Sequence, residues 1–353
     1  MKKLDNLLIV KLSSLGDVLM NIPVVEGIEK SHENIKIGWV VEDRASDILK
    51  NYNTIDKLYI LDKTKLDKNF NNHKFRTVYK QIREFIKKIN KEEWTNSLDL
   101  QWLFRSSLIP FIAGIKNRYG CVRSGLQQFF VNNNYKFDDK NYPDHVIKKN
   151  FQIMKDIGFI KENIKPEIFF PLNEELKKWG EKRVEKFESN TKIGLAPFSK
   201  WKSKNWPIEK YKKLADQLVE SSNCSVFVFG GKENKEKAEK WFDFENKNIV
   251  NFVGNTSLNQ FASIAKNMNV FMSGDSFPMH VAAFLNLNQI AIFGPTSFKK
   301  TGPVNSKAKI IQKEYECIPC FSKKCPLNND KYRCLRNIKI SKIKSLILNM
   351  INN

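Results

Sequence analysis

Apolar runs rich in β-branched residues alternate along the chain with longer stretches whose apolar residues are spaced like those of a helix. Strands separated by helix-length segments indicate parallel sheets with crossover helices. The nine predicted strands are Asn6–Leu12, Ile35–Val41, Lys57–Leu61, Ser97–Leu100, Lys192–Ala196, Ser225–Gly230, Ile249–Val253, Asn269–Ser273 and Gln289–Phe293. Because the alternation occurs once in each half, the predicted fold class is α/β with two doubly wound parallel sheets.

A proline-flanked segment separates the two predicted sheets. Residues 166–185 begin with an extended stretch and end in a charged helix. The boundary predicted near Pro171 gives an N-terminal domain at 1–171 and a C-terminal domain at 172–340, followed by an amphipathic tail helix at 341–353. The chain has 353 residues, 41% of them hydrophobic, which is enough for two cores of ordinary size.

A single carboxylate follows the first predicted strand. The sequence KLSSLGDVLM at 11–20 places Ser13, Ser14, Gly16 and Asp17 on a turn between this strand and a helix. Ligands of doubly wound sheets bind at the carboxyl ends of the strands, so Asp17 lies where a ligand is expected. The two serines provide either hydrogen bonds to a ligand or a cap for the helix.

The first strand of the second half also leads into a candidate ligand-binding turn. A loop containing Ser199 and Lys204 follows this strand, and Pro207 is predicted at the first position of the next helix. A helix N-terminus carries free N–H groups and the positive end of the helix dipole. The sequence therefore predicts an anion site to which Lys204 adds a full charge.

A second turn of this kind, SGDSFPMHVAAF, lies at 273–284. It places Asp275 or Ser276 at the cap of a helix and His280 one turn inside it. Two helix N-termini close together suit a diphosphate. Each residue also has a structural interpretation, since a cap needs no ligand and His280 is equally suited to a buried structural position. Neither half carries a G-x-G-x-x-G fingerprint or a P-loop, which argues against a simple nicotinamide enzyme or ATPase.

The net charge of +22 indicates an anionic partner. The excess comes from 51 Lys against 9 Arg, and codon usage in an AT-rich genome explains the same skew. No aromatic-interleaved basic tract or zinc-finger spacing is present, so nucleic acid is not a predicted partner. No apolar run is long enough to span a bilayer, and the N-terminus lacks the features of a signal peptide. We therefore expect a cytoplasmic protein.

Four cysteines are clustered near the C-terminus, at Cys317, Cys320, Cys325 and Cys334. Clustered thiols in a cytosolic protein predict a structural zinc or iron site, or else reduced thiols that brace a loop. Around them, residues 299–344 carry thirteen Lys and Arg against three acids. This stretch predicts either a basic face on the anionic inner leaflet of the inner membrane or a solvated lysine-rich surface.

The order of the motifs resembles glycosyltransferase family 9, the ADP-heptose:lipopolysaccharide heptosyltransferases, from about Leu7 to Leu335. The motifs are SSLGD at 13–17, DLQ at 99–101 with Arg105, K-x-W-P at 204–207, D-S-x-P-M-H-x-A-A at 275–283 and IAIFGPT at 290–296. The resemblance implies a GT-B fold of two Rossmann-like domains, in which the acceptor domain comes first and faces a nucleotide-sugar domain across a cleft. It also implies inverting sugar transfer that requires no cofactor for the chemistry.

The resemblance also implies roles for individual residues. Asp17 is expected to be the general base, Lys204 to bind the donor phosphates and Asp275 to hold sugar hydroxyls. Ser276 and His280 are expected at the diphosphate, with Ser199 in the same donor site. The expected acceptor residues are Lys11, Ser13, Ser14, Gly16 and Arg105. The implied partners are an ADP-sugar and an anionic, lipid-linked glycan.

Two positions depart from the family pattern. Phe277 stands where D-[ST]-G-P-M-H has glycine, and Trp102 stands where DLQG is common. Both replacements add bulk near the expected site. Three alternatives therefore stay open: a different donor sugar, a protein acceptor as in the autotransporter heptosyltransferases, or a GT-B scaffold without activity.

Overall fold

The computed structural model describes residues 4–123, 125–136, 139–185, 187, 191–222 and 224–352. They form two compact units, which divide between Glu167 and Ile168. Each unit contains one six-stranded sheet.

The first unit has parallel strands in the order β3-β2-β1-β4-β5-β6. Its elements are β1 Asn6–Val10, α1 Leu15–Glu29, β2 Lys36–Glu42, α2 Asp43–Ser46, β3 Lys57–Leu61, α3 Lys63–Asn71, α4 Phe75–Asn90, β4 Asn96–Asp99, α5 Phe104–Ile112, β5 Asn117–Gly120, β6 Asn133–Asn134 and α6 Val146–Asp156, with 3₁₀ turns at Asp47–Leu49, Gly125–Phe129 and Asp139–Asn141.

The second unit has parallel strands in the order β12-β11-β10-β7-β8-β9. Its elements are α7 Glu174–Glu185, β7 Thr191–Ala196, α8 Ile208–Ser222, β8 Cys224–Val228, α9 Lys235–Trp241, β9 Ile249–Asn251, α10 Leu258–Ala265, β10 Val270–Gly274, α11 Phe277–Phe284, β11 Gln289–Phe293, α12 Phe298–Thr301, β12 Ala308–Gln312, α13 Arg333–Arg336 and α14 Ile340–Asn352, with 3₁₀ turns at Lys202–Lys204 and Lys232–Asn234.

The two parallel sheets confirm the predicted α/β class, and all nine predicted strands are present. Three further strands, β5, β6 and β12, were not predicted. They lie toward or at the edges of the sheets, and two of them, NRYG and NN, lack an apolar run. The edge strands β6 and β12 do not require the continuous hydrophobic sequence of a central parallel strand. The polar sequences NRYG and NN therefore gave no strand signal.

The first helix begins earlier than its sequence pattern indicates. α1 starts at Leu15, so Gly16 and Asp17 belong to its first turn and not to a loop. Pro207 is also placed differently, because α8 begins at Ile208 and the Pro207 carbonyl accepts the first helical hydrogen bonds. Proline is well suited to both positions, since neither uses its missing N–H.

The tail helix packs on the core of the second unit. Ile343 and Ile347 of α14 are fully buried in the same cluster as strand residues such as Val270 and Ile290. Burial of an isoleucine side chain contributes roughly 1.5–3 kcal/mol. The amphipathic tail thus completes the hydrophobic core beneath β7 and β10.

Candidate functional site

Strand order reverses between β1 and β4, and the predicted catalytic turn lies at this point. β1 and β4 are neighbours although two strands and four helices separate them in sequence. The backbone N–H of Ser13, after β1, donates to Oε1 of Gln101, after β4, over 3.2 Å. Such a reversal opens the crevice in which doubly wound sheets bind ligands.

The carboxylate of Asp17 is fixed by the helix that carries it. Its Oδ2 accepts hydrogen bonds from the Ser14 backbone N–H (3.0 Å) and from the Ser14 hydroxyl (3.1 Å). Asp17 is the third residue of α1, a position where a carboxylate also interacts favourably with the helix dipole. Asp17 is half-buried, so the carboxylate is oriented yet reachable.

Behind this turn, the buried carboxylate of Asp99 organises the loop after β4. Oδ1 accepts from the N–H groups of Gln101 (2.8 Å) and Trp102 (3.1 Å), and Oδ2 accepts from the hydroxyls of Ser106 (2.8 Å) and Ser107 (2.7 Å). Burial raises the pKa of Asp99, while these hydrogen bonds act in the opposite direction. Asp99 therefore has a structural role in holding Gln101 against Ser13.

Of the two cations predicted to bind acceptor anions, Lys11 is buried and Arg105 is exposed. The ammonium of Lys11 donates to the carbonyl of Leu100 over 3.1 Å. Burial lowers the pKa of Lys11, and the nearby carboxylates of Asp17 and Asp99 counteract this. Lys11 thus places a positive charge beneath the turn that carries Asp17, whereas Arg105 lies on the surface of the first turn of α5.

Trp102 adopts a backbone conformation that favours glycine. Its φ is +57°, in the left-handed region, and its side chain is held at two points. The indole Nε1–H donates to the Tyr135 hydroxyl over 2.9 Å, and the Arg123 guanidinium lies 4.7 Å from the ring centre. These contacts hold a large ring beside Gln101 despite the backbone strain.

In the second unit, strand order reverses between β7 and β10, and two predicted donor residues meet there. The ammonium of Lys204, after β7, lies 2.7 Å from Oδ2 of Asp275, after β10. The Thr296 hydroxyl, after β11, donates to the same oxygen over 2.6 Å. The Asp275 side chain is only 6% exposed and that of Lys204 17%, so water screens this ion pair weakly.

The other predicted donor residues lie around this pair on the same strand ends. Ser276 is the N-cap of α11, and its hydroxyl is directed to the carbonyl of Gly274 (3.4 Å). His280 is buried within α11. The Ser199 hydroxyl accepts from the Trp201 N–H (3.4 Å) in the loop that also carries Lys204.

Phe277 is accommodated without strain. It is the first residue of α11, and its ring packs against that of Phe261, with 6.5 Å between ring centres. A helical position does not require glycine, so the backbone accepts phenylalanine here. Phe277 therefore changes the candidate site through the volume of its half-buried ring at the start of α11.

The four clustered cysteines line one small cavity of about 20 Å³ together with Ser203 and Pro295. The Ser203 hydroxyl donates to the carbonyl of Ser322 over 2.7 Å, which ties this region to the Lys204 loop. Within the part of the chain that the structure describes, no three His, Cys, Asp or Glu side chains are arranged to hold a metal ion. The cysteines therefore do not fit the predicted zinc or iron site in this arrangement.

Three residues of these sites were not among the predicted functional residues. Thr296 binds Asp275, Gln101 binds Ser13, and Asp99 supports Gln101. Each lies at or just after the end of a predicted strand, in the motifs DLQ and IAIFGPT. The available signal was therefore positional, since polar residues at the carboxyl ends of neighbouring parallel strands converge.

Comparison with known proteins assigns the chain to a class and a family. Over residues 82–331 it matches the model of glycosyltransferase family 9 (heptosyltransferase). It is 27% identical over 286 residues to lipooligosaccharide heptosyltransferase 2 of Campylobacter jejuni, covering 78% of this chain and 80% of that protein.

Two solved structures share the fold over almost their full length. They are a family 9 glycosyltransferase from Veillonella parvula (TM-score 0.83, 19% identity, covering 100% of this chain and 98% of that one) and the Escherichia coli ADP-heptose lipopolysaccharide heptosyltransferase II (TM-score 0.78, 19% identity, 98% of each).

The two units, each with one strand reversal in its parallel sheet, have the GT-B fold of these heptosyltransferase structures. The chain belongs to glycosyltransferase family 9, and it is a transferase.

Proposed function

We propose that the protein transfers heptose from ADP-heptose to the lipopolysaccharide inner core with inversion at the anomeric carbon. The observation that carries this proposal is the Lys204–Asp275 ion pair at the strand reversal of the second unit. The relatives support it, since they are named as heptosyltransferases of lipooligosaccharide and lipopolysaccharide and, for the Escherichia coli enzyme, as using ADP-heptose.

In the proposed reaction, Asp17 accepts the proton of the acceptor hydroxyl. The acceptor oxygen then attacks the anomeric carbon, and the bond from that carbon to the ADP oxygen breaks on the opposite face. A base held in one orientation by Ser14 is suited to this step, because inversion needs one carboxylate on the acceptor side. No cofactor takes part.

The departing ADP carries negative charge that must be stabilised. We assign this role to Lys204 and to the N-terminus of α11, which begins after Asp275 and Ser276. Asp275 holds the ammonium of Lys204 in place and accepts hydrogen bonds from sugar hydroxyls. The Thr296 hydroxyl keeps Asp275 oriented through its 2.6 Å hydrogen bond.

Nucleotide-dependent thermal stability tests the donor. ADP, UDP, GDP and CMP are each added to the purified protein, and the shift in melting temperature is measured. A ligand at about 100 times its Kd adds roughly 2.7 kcal/mol to the stability of the folded state. We expect ADP alone to raise the melting temperature clearly. An equal or larger shift with another nucleotide would mean that the donor is a sugar linked to that nucleotide and not ADP-heptose.

Trp102 and Phe277 favour a second candidate within the same family, a different sugar or a protein acceptor. Both rings add volume where the family pattern has glycine, one after β4 and one at the start of α11. A radiolabelled donor incubated with a membrane and protein extract separates the alternatives. Label in lipid supports the inner-core acceptor, and label in polypeptide supports the protein acceptor.

The lipid-linked acceptor implies that the enzyme works on the cytoplasmic side of the inner membrane, at its surface. None of the helices in the described ranges is long and apolar enough to cross a bilayer. The protein must therefore reach its acceptor in some other way, for which the basic stretch 299–344 is one candidate.

A further inference from the structure

The hairpin formed by α3 and α4 carries an apolar stripe that the protein covers only at one end. On α4 the stripe consists of residues 75, 79, 82, 86 and 89, which repeat at the spacing of one helix face. Ile86 and Ile89 are buried in the core of the first unit. Phe75, Tyr79 and Ile82, on the same face, are exposed.

The exposed end of this stripe is mostly aromatic. Phe75 is 55% exposed and Tyr79 is 68% exposed, and Phe70, at the end of α3, is 59% exposed. The rings of Phe70 and Phe75 pack edge to face with 5.5 Å between their centres. Large apolar side chains grouped on one surface indicate an interaction site, whereas single exposed ones do not.

Positive charge surrounds the aromatic stripe. Residues 63–90 carry nine Lys and Arg against two acids. The two acids, Asp67 and Glu84, pair with Lys63 and Lys80 within the hairpin. The hairpin therefore presents a strong excess of positive charge together with exposed aromatic rings.

The basic residues of α4 form a stripe of their own, beside the apolar one. Arg76, Lys80, Arg83 and Lys87 each directly follow a residue of the apolar stripe. Consecutive residues of a helix are about 100° apart, so the two stripes run side by side along α4. Helices that bind in a membrane interface have this pattern, with the apolar face in the acyl boundary and the cations at the headgroups.

We propose that the α3–α4 hairpin docks the enzyme on an anionic lipid bilayer. The argument for lipid is charge complementarity, because headgroups with negative charge match the basic stripe while the aromatic rings enter the interface. The proposal rests in part on the proposed function, since a lipid-linked acceptor requires the enzyme to work at a membrane surface. It differs from the sequence-based expectation, which placed the membrane face at 299–344.

Vesicle co-sedimentation tests this proposal without any sugar transfer. The full-length protein is mixed with phosphatidylglycerol-containing vesicles or with pure phosphatidylcholine vesicles. We expect binding to the anionic vesicles only. Replacing two cations of the basic stripe, as in Arg76→Gln with Arg83→Gln, should weaken binding by on the order of tenfold.

Two further pairs of variants separate apolar contact from charge. Phe75→Ser with Tyr79→Ser should weaken binding by at least about tenfold, whereas Phe75→Leu with Tyr79→Leu should largely retain it. As a matched control, Lys331→Gln with Lys339→Gln removes two exposed cations from the stretch 299–344. This control should leave binding nearly unchanged.

Several outcomes would overturn the proposal. One is equal binding of the wild type to both kinds of vesicle. Another is wild-type binding by the variant with Phe75→Ser and Tyr79→Ser. A third is a loss of binding in the Lys331 and Lys339 control as large as that in the Arg76 and Arg83 variant. A concentration-dependent dimer of the wild type that the serine variant abolishes would assign the hairpin to a second copy of the chain. Transfer to a delipidated, water-soluble acceptor should be unchanged in the hairpin variants, so loss of docking and absence of the proposed activity are distinguishable.

Discussion

The ammonium of Lys204 and the carboxylate of Asp275 form an ion pair of 2.7 Å in the second unit. The two residues follow β7 and β10, which are adjacent strands in the sheet although other elements lie between them in the sequence. An ion pair this shielded from water depends on both partners, because either charge alone would be left desolvated.

We expect Lys204→Met to lower the free energy of unfolding by about 2–4 kcal/mol, since it leaves Asp275 buried without its cation. Urea denaturation measures this change. Lys204→Met combined with Asp275→Asn should be less destabilised than the sum of the single variants. Lys202→Met, in the same loop but exposed, serves as the control and should have wild-type stability. Wild-type stability of Lys204→Met would contradict the proposed role of the pair.

Asp17→Asn should reduce kcat by about 10²- to 10⁴-fold, because it removes the proposed base. The asparagine carbonyl still accepts the hydrogen bond from the Ser14 N–H, so the helix cap is largely kept and stability should fall by less than about 1 kcal/mol. Steady-state kinetics and ADP binding are measured together, and ADP affinity should be unchanged. As a control, Glu29→Gln removes an exposed carboxylate at the opposite end of α1 and should retain wild-type activity. Full turnover by Asp17→Asn would rule out Asp17 as the base.

Replacement of Trp102 tests the cost of its left-handed backbone. Trp102→Gly and Trp102→Ala both remove the indole, its hydrogen bond to Tyr135 and its stacking on Arg123. Only alanine retains the conformational penalty at φ +57°. We therefore expect Trp102→Gly to be more stable than Trp102→Ala by about 1 kcal/mol in chemical denaturation. Equal stability of the two variants would mean that the backbone relaxes at this position.

Cys334 should react slowly with alkylating reagents at neutral pH. Burial, together with the nearby thiols of the cluster, raises the pKa of Cys334 to about 11. Only the thiolate is nucleophilic, so labelling by iodoacetamide should rise steeply as the pH approaches that value. Peptide mass spectrometry follows Cys334 separately, and Cys334→Ser should remove the slow phase. Rapid labelling of Cys334 at pH 7 would contradict the raised pKa.

The cysteine cluster should be isolated as thiols without stoichiometric metal. Elemental analysis of the purified protein should find well under one zinc or iron per chain, and a chelator should not change the number of reactive thiols. Stoichiometric metal released by the chelator would show that the cysteine side chains reorganise around an ion.

Much of the fold was predictable because its signals are local. A central parallel strand needs a continuous apolar run, and the run Gln289–Phe293 has the same bounds in the structure. The edge strand β6 and its neighbour β5 carry no such run, so the sequence did not predict them. The start of α1 was misplaced because Ser14 caps a helix whose first turn, LGD, has no apolar periodicity.

The sequence by itself determined the two α/β units and the polar residues at the strand ends, because periodicity and turn chemistry depend on neighbouring residues. Only the tertiary structure decided which strand ends meet. The pairing of Lys204 with Asp275, and the contact of Ser13 with Gln101, follow from the strand order, which long-range packing of the sheets selects. The exposed end of the α4 stripe has the same origin. Its residues continue one apolar pattern, and only packing separates the buried part from the exposed part.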